Sequence, residues 1–373
     1  MKTRHYSVYV KSETEKIMPK DKEKNEPKTL DEVLSQIRKD YGDGAIQQGG
    51  GVIVKGVQSI PTGSIALDSA LGVGGIPRGR ITEVFGPEAS GKTTLCLEIA
   101  ANTQRAGGKV AFIDAEHALD LNYTKNGIGI DTDAWFLSQP DSGEEALTIC
   151  ERLAKSGAIS LIVIDSVAAL MPQAVLDGAM GDANPGAQAR LMSKALGRLK
   201  GIVNKTNTAV IFVNQIREKI GIMFGSSETT SGGRALKFYA SVRIDIRRLE
   251  SVKGGEEGPT GNKIRARVVK NKVASPFREA EFEITYGKGI NKLGSLIDVA
   301  ESVNIIKKAG SFFKYAEKSF LGREKLMDWL TSNPTAMQTL DSTVRDQLKL
   351  KPAKEVAEEL QAAEDTLTVE SDN

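Results

Sequence analysis

Between residues 81 and 290 short apolar runs alternate with stretches of helical period. Ile81–Phe85, Lys109–Ala115, Leu161–Asp165 and Ala209–Gln215 are too short and too uniformly apolar for surface helices, and they predict buried strands. Thr94–Asn102, Glu144–Ser156 and Ala187–Val203 repeat apolar positions every three or four residues and predict the helices between. This alternation implies an α/β fold on a doubly wound, mainly parallel sheet. After residue 235 the rhythm changes: Ala240–Arg248, Lys263–Lys272 and Ala280–Tyr286 read as strands separated by turns, an antiparallel extension of the same sheet. Far upstream, Thr29-Leu-Asp-Glu32 is a capping box, Leu30, Val33, Leu34, Ile37 and Tyr41 form an apolar helical stripe, and Gly42 and Gly44 end it. A lone amphipathic helix has little of its own domain to pack on, so docking on a neighbouring subunit is expected.

The domain order that follows is a polar, disordered extension over 1–28 and an N-terminal oligomerisation helix and strand over 29–55. A core over 56–290, a small C-terminal α/β domain over 291–350 and an acidic disordered tail over 351–373 complete it. Met18-Pro-Lys offers a second candidate start. The C-terminal segment carries basic positions at Lys307, Lys308, Lys314, Lys318, Arg323 and Lys325.

With 373 residues, 40% hydrophobic and 26% charged, the composition is that of a globular protein with a sizeable core. No apolar run approaches a membrane span and the N-terminus lacks a signal-peptide core, so a cytoplasmic protein with no membrane partner is expected. Cys96 and Cys150 fall in apolar helical patterns without metal-ligand spacing, which predicts buried free thiols. Only His5 and His117 are present, which excludes a histidine-rich metal site. The net charge of +2 hides an asymmetry, because residues 1–28 carry eight Lys/Arg against five Asp/Glu and residues 355–373 carry seven acids and no base. The body between them is basic. A basic body with an acidic tail suits a polyanion binder whose tail competes for the basic surface.

The most specific local signature is Gly86, Pro87, Glu88, Ala89, Ser90, Gly91, Lys92, Thr93 and Thr94, a full G-x-x-x-x-G-K-[ST] loop between a predicted strand and a predicted helix. In that setting the loop N–H groups and the helix N-terminus cradle phosphates. Lys92 reaches the β- and γ-phosphates of a nucleoside triphosphate, and the Thr93 hydroxyl binds Mg²⁺. Asp165, ending an apolar strand, is the expected acid on that Mg²⁺. Glu116, just past Phe112-Ile-Asp-Ala, is the candidate base for an attacking water, and Asp114 on the same strand is its rival. All of these converge, since ligands of open α/β sheets sit outside the carboxyl ends of the strands. Two segments lack periodicity inside this regular core: Asp177–Gly186 and Ile216–Gly233. The second mixes Arg217 and Lys219 with Ile220, Met223 and Phe224. Long loops in a compact domain are usually functional, and this mixture suits nucleic acid whose phosphates are neutralised and whose bases are unstacked.

The loop Gly86–Thr94, the run Phe112-Ile-Asp-Ala-Glu-His-Ala-Leu-Asp120 and the segment Phe212-Val-Asn-Gln-Ile-Arg217 resemble the RecA recombinase family. So do Met223-Phe-Gly225, Ala235-Leu-Lys-Phe-Tyr-Ala-Ser-Val-Arg243 and Val268-Val-Lys-Asn-Lys272, and the resemblance extends from about Leu30 to about residue 345. It implies a DNA-dependent ATPase and homologous recombinase that uses ATP and Mg²⁺. Such a protein polymerises as a helical filament on single-stranded DNA, with ATP between subunits, and exchanges strands with homologous double-stranded DNA. The implied setting is DNA repair and the SOS response, with self-cleavage of a LexA-type repressor promoted by the filament. The resemblance makes Glu116 the water-activating base. Asp120 and Tyr123 fall where the family contacts adenine, Tyr123 by stacking. Gln215 falls where it senses the γ-phosphate and signals into the following loop. Lys270 and Lys272 match a pair that reaches the neighbour's ATP in the manner of an arginine finger. Tyr286 and Gly287 would close over the neighbour's adenine. The implied DNA contacts are Arg190, Arg217, Ile220, Gly232 and Gly233, addressing phosphates rather than base edges. Pro185, Glu218 and Arg234 depart from the family pattern, which weakens the loop contacts but leaves the ATP chemistry untouched.

A ring-forming RecA-like motor such as a hexameric helicase would share the phosphate loop and the acids. The paired lysines Lys270 and Lys272 argue against it, because such rings commonly present arginine fingers. A small-molecule P-loop kinase would need an arginine-rich lid, and the chain has no such segment.

Overall fold

A computed structural model describes residues 29–42, 45–46, 56–179, 182, 184–218, 228–252, 254, 258–352, 354–359 and 361–362. They fall into two compact units that divide at Gly56. In the first, α1 (Leu30–Tyr41) opens on the expected capping box: Thr29 Oγ1 accepts from the Glu32 N–H at 3.3 Å and the Thr29 N–H donates to Glu32 Oε2 at 3.2 Å. None of its residues is buried. The strand expected before residue 56, the 1–28 extension and residues 363–373 lie outside the described residues.

The second unit begins with β1 (Ser59–Ile60), α2 (Ile65–Leu71), β2 (Ile76–Pro77), β3 (Ile81–Gly86), α3 (Lys92–Arg105), β4 (Val110–Asp114) and β5 (Trp135–Ser138). It continues through α4 (Gly143–Lys155), β6 (Leu161–Asp165), α5 (Gln173–Leu176), α6 (Ala187–Thr206), β7 (Ala209–Glu218), β8 (Glu228–Thr230) and α7 (Ala235–Tyr239). Next come β9 (Val242–Val252), β10 (Gly261–Asn271), β11 (Glu279–Thr285) and β12 (Gly289–Ile290). The chain closes with α8 (Lys292–Ser302), β13 (Lys307–Ala309), β14 (Phe312–Tyr315), β15 (Lys318–Leu321), α9 (Arg323–Ser332) and α10 (Pro334–Gln347).

The main sheet runs β12-β11-β10-β9-β3-β7-β6-β4-β5, with β8 on β7. From β9 to β5 the pairing is parallel, and from β9 to β12 it is antiparallel, as the change of rhythm after residue 235 predicts. Both faces of the parallel part are covered, which is why its strands read as unbroken apolar runs. Val110, Phe112, Leu161, Val163 and Ile211 pack on the α3 side. Their neighbours Ala111, Ile113, Ile162, Ile164 and Phe212 pack under α4 and α6. A third cluster joins α8, α9 and α10 to Ile65 of α2, and Ala66 touches both this cluster and the α3-side core.

Two expectations need correction. The second loop does not begin at Ile216: β7 continues to Glu218 and pairs antiparallel with β8, so Ile216 faces Thr230 and Glu218 faces Glu228. Nor is the tail unstructured from residue 351. Residues 354–359 are helical, and Val356 is buried in the α3-side core. Val356 and Leu360 stand at helical spacing, but a stripe of two large apolar residues among acids is too short to separate a docked helix from a solvated tail.

Candidate active site

The parallel register brings four strand ends into line. Gly86 at the end of β3 lies beside Gln215 of β7, and Asp114 of β4 beside Asp165 of β6. The phosphate loop leaves β3 at this edge and enters α3. Gly91 has φ +89°, and a Cβ there would stand 2.5 Å from Ile284 Cδ1, so only glycine fits the turn. Ser90 Oγ and Lys92 Nζ both donate to the Pro87 carbonyl, at 2.8 and 2.6 Å, curling the loop around its own backbone. Burial lowers the Lys92 pKa, while Asp165, Glu116 and Glu88 pull it back up. Thr93 Oγ1 donates to Asp165 Oδ2 at 2.6 Å. Asp165 is pushed up to about 6, mainly by burial; the Thr93 hydrogen bond opposes the shift and the Glu116 charge adds to it.

The Thr93 hydroxyl and the Asp165 carboxylate are two hard oxygen donors. Among the described residues no group of three or more His, Cys, Asp or Glu could cage an ion. That donor set fits Mg²⁺, which keeps several waters and shares its remaining positions with phosphate oxygens.

Beside the loop opens a cleft of about 460 Å³, walled by Gly91, Thr94, Tyr123, Asn262, Tyr286 and Gly287. Its size suits a nucleotide. Tyr123 begins a π-helical turn held at its start by Asp120, whose Oδ1 accepts the Tyr123 N–H at 2.9 Å. Tyr286, whose hydroxyl donates to Asn262 Oδ1 at 3.0 Å, and Gly287 were expected over the neighbour's adenine. The antiparallel extension folds β11 back so that both line the chain's own cleft.

The two rival acids have different surroundings. Asp114 is buried and accepts from the N–H groups of Ala118 and Leu119 and from Gln139 Nε2, which organises the turn after β4. Glu116 is exposed at the strand edge; its Oε1 accepts from the Ser166 hydroxyl and, at 3.0 Å, from Gln215 Nε2. The two acids thus differ in what they hold: Asp114 is engaged by the turn after β4, and Glu116 stands at the strand edge beside Gln215.

Behind Gln215 lies a polar network that motif reading missed. Asn214 Oδ1 accepts the Gln215 N–H at 2.9 Å, and Asn214 Nδ2 donates to Glu83 Oε1 at 2.9 Å. Glu83 is fully buried and paired with Arg243, whose guanidinium lies 4.5 Å from the centre of the Phe85 ring. The available signal was an acid in the middle of an apolar strand, since buried charges are almost always paired. Lys270 pairs with Arg243 in the sheet register, and its Nζ donates to the Lys237 and Phe238 carbonyls at the end of α7. Burial, then the charges of Lys272 and Arg243, lower its pKa. Neither Lys270 nor the exposed Lys272 lines the chain's own cleft.

Of the expected DNA contacts, Arg190 is exposed on the first turn of α6 with Nη1 on the Pro185 carbonyl at 3.0 Å. Arg217 is exposed on β7, and Gly232 and Gly233 sit in a left-handed turn before α7. Ile220 lies outside the described residues. Glu218 faces Glu228, whose carboxylate takes a two-pronged pair from Arg247 at 2.9 and 2.6 Å.

The sheet order, the loop and the acids at the carboxyl edge define a P-loop nucleotide-binding protein of the α/β class. Family models for the RecA N-terminal domain and the RecA C-terminal domain match residues 28–291 and 294–349. The chain is 53% identical to Protein RecA of a Nocardioides species over 89% of this chain and 95% of that one. It is 52% identical to Protein RecA of Corynebacterium urealyticum over 92% of each, and 54% identical to that of Salinispora arenicola over 86% of this chain and 92% of that one. The chain belongs to the RecA family. Membership supports ATP binding and a role in recombination and DNA repair.

Proposed function

We propose that this protein is a DNA-dependent ATPase and homologous recombinase, assembling on single-stranded DNA as a helical filament that exchanges strands with homologous duplex. The observation that carries the reading is the 3.0 Å contact between Gln215 Nε2 and Glu116 Oε1. It joins the candidate base to the strand that leads into the second loop, so phosphate chemistry and DNA contact share one element.

In this reading Lys92 and the loop N–H groups hold the phosphates, and Thr93 and Asp165 hold Mg²⁺, which neutralises charge on the phosphate oxygens when bound. Tyr123, Tyr286 and Gly287 flank the base of the nucleotide, with Asp120 fixing the turn. Glu116 takes a proton from the attacking water. Lys270 and Lys272 of one subunit complete the site of the next, stabilising charge in the transition state. Arg190, Arg217, Ile220, Gly232 and Gly233 meet DNA. Promotion of LexA-type repressor self-cleavage belongs to the same reading, as does a cytoplasmic setting, which the two buried free thiols suit. Among the described residues no helix is long and apolar enough to cross a membrane.

A strand-exchange assay between circular single-stranded DNA and its linear duplex tests the reading. Joint molecules and nicked circles are expected with ATP and Mg²⁺. Their absence alongside normal ATPase activity would remove it, and discrete rings rather than filaments under the electron microscope would favour a ring motor.

A further inference from the structure

The exit of the second loop is tied to the rest of the site by a residue that no motif includes. Gln188 is the second residue of α6, just after the first loop. Its Nε2 donates to the Val167 carbonyl at 2.8 Å and to the Leu170 carbonyl at 3.2 Å. Both carbonyls belong to the short turn that follows Asp165 and Ser166. Its Oε1 accepts the Gly232 N–H at 3.2 Å. One side chain thus bonds at once to the segment leaving the Mg²⁺-binding acid and to the segment leaving the second loop, from a helix that starts at the first.

The packing around it leaves little slack. Gly232 and Gly233 have φ of +77° and +76°. A Cβ on Gly232 would stand 2.9 Å from Val167 Cγ1, and one on Gly233 2.8 Å from Ala189 Cβ. The preceding residue is held from the other side, because Asn214 Nδ2 donates to the Ser231 carbonyl at 3.1 Å while Asn214 Oδ1 accepts the Gln215 N–H. The loop is therefore anchored to the nucleotide site at both ends: its entry strand carries Gln215, and its exit is clamped between Asn214 and Gln188. Close-packed interiors move between discrete arrangements rather than deforming smoothly, so a shift after Asp165 displaces the Gly232 backbone with it.

We propose that Gln188 is a positioning residue that couples nucleotide state to DNA affinity through the exit of the second loop and the start of α6, in parallel with Gln215 at the entry. The proposal rests on the recombinase reading above. Its specific content is that the preference of the protein for DNA in one nucleotide state over the other depends on the Gln188 carboxamide.

The test is the dissociation constant of a fluorescent single-stranded oligonucleotide, measured with a slowly hydrolysed ATP analogue and with ADP, for the full chain and two variants. Gln188→Met keeps the volume and removes all three hydrogen bonds. Gln188→Glu keeps an acceptor for the Gly232 N–H and sets a carboxylate against the Val167 and Leu170 carbonyls. The ratio of the two constants is expected to fall about tenfold in Gln188→Met, within the range typical of coupling between sites. DNA-free ATPase should stay within about twofold of the wild type, because Gln188 touches no phosphate-binding group. A ratio unchanged within about twofold, even with a lowered melting temperature, would show a purely structural role and overturn the proposal. If Gln188→Met does not fold, Gln188→Glu decides by the same ratio. A wild-type protein whose DNA affinity ignores the nucleotide would instead overturn the recombinase reading itself.

Discussion

Gln215 and Glu116 are 99 residues apart in sequence and in contact at the sheet edge. The Gln215 amide reaches the base without occupying the phosphate cradle, so the two functions can be separated. Gln215→Ala should bind ATP as the wild type does and lose about tenfold or more of its DNA-stimulated turnover. Nucleotide binding by fluorescence and hydrolysis with and without DNA check this, and unchanged stimulation would sink the coupling. Asp68 gives a residue-scale prediction about stability. Thr62 N and Oγ1 both donate to its Oδ1 at 2.8 Å, yet burial pushes its pKa from the ordinary 3.8 to about 7. A carboxyl whose folded pKa is raised favours the folded state fully below the unfolded value, and that contribution is lost as pH rises through the folded value. Asp68→Asn keeps an acceptor for both hydrogen bonds and removes the ionisation. The variant's melting temperature should match the wild type's near pH 4 and exceed it increasingly up to about pH 7, then hold a constant gap, worth on the order of a few kcal/mol. A gap that is already present at pH 4 would contradict the assignment.

At the scale of elements, most of the sheet was legible. Strands covered on both faces must be apolar throughout, so β3, β4, β6 and β7 stand out in the sequence, and Thr29 with Glu32 marks α1 unaided. The phosphate loop was legible because its chemistry requires a fixed spacing of residue types. What was hidden depends on partners distant in the chain. Glu83 makes sense only beside Asn214 and Arg243, and the cleft faced by Tyr286 is decided by how β11 folds back on β10. The extension of β7 to Glu218 is set by its pairing with β8, not by its own hydrophobicity. Gln188 carries no signal at all, since a glutamine at a helix start is ordinary. The helix at 354–359 yields a direct prediction. Ending the chain after residue 362 should leave the melting temperature unchanged, whereas ending it after residue 350 removes Val356 from the core. That loss should cost about 1–2 kcal/mol and several degrees, measurable by calorimetry.

For the whole molecule, the proposed division of the site between Lys92 of one subunit and Lys270 with Lys272 of the next makes the interface heterologous, and such an interface extends as an open filament where its rotation does not close into a ring. Complementation follows from that geometry. Lys92→Ala alone and the double variant Lys270→Ala/Lys272→Ala should each be inactive in DNA-stimulated hydrolysis. An equal mixture should recover about a quarter of wild-type turnover, because random placement along a heterologous assembly makes one interface in four intact. A mixture as dead as its components would place both defects in one subunit's site.

The contact of Ala66 with both the α3-side core and the C-terminal cluster has a further consequence for how the molecule comes apart. Apart from the α2 residues Ile65 and Ala66, the buried apolar residues of α8, α9 and α10 form a cluster of their own. Units of that kind can open without the rest. Amide hydrogen exchange in rising denaturant should therefore resolve two families of protons, with those of α9 and α10 exchanging through a sub-global opening and those of β3, β6 and β7 only through complete unfolding. The amides of α2, held from both sides, belong with the slow family, so the last turn of the chain to lose contact with the C-terminal helices is one that precedes the phosphate loop.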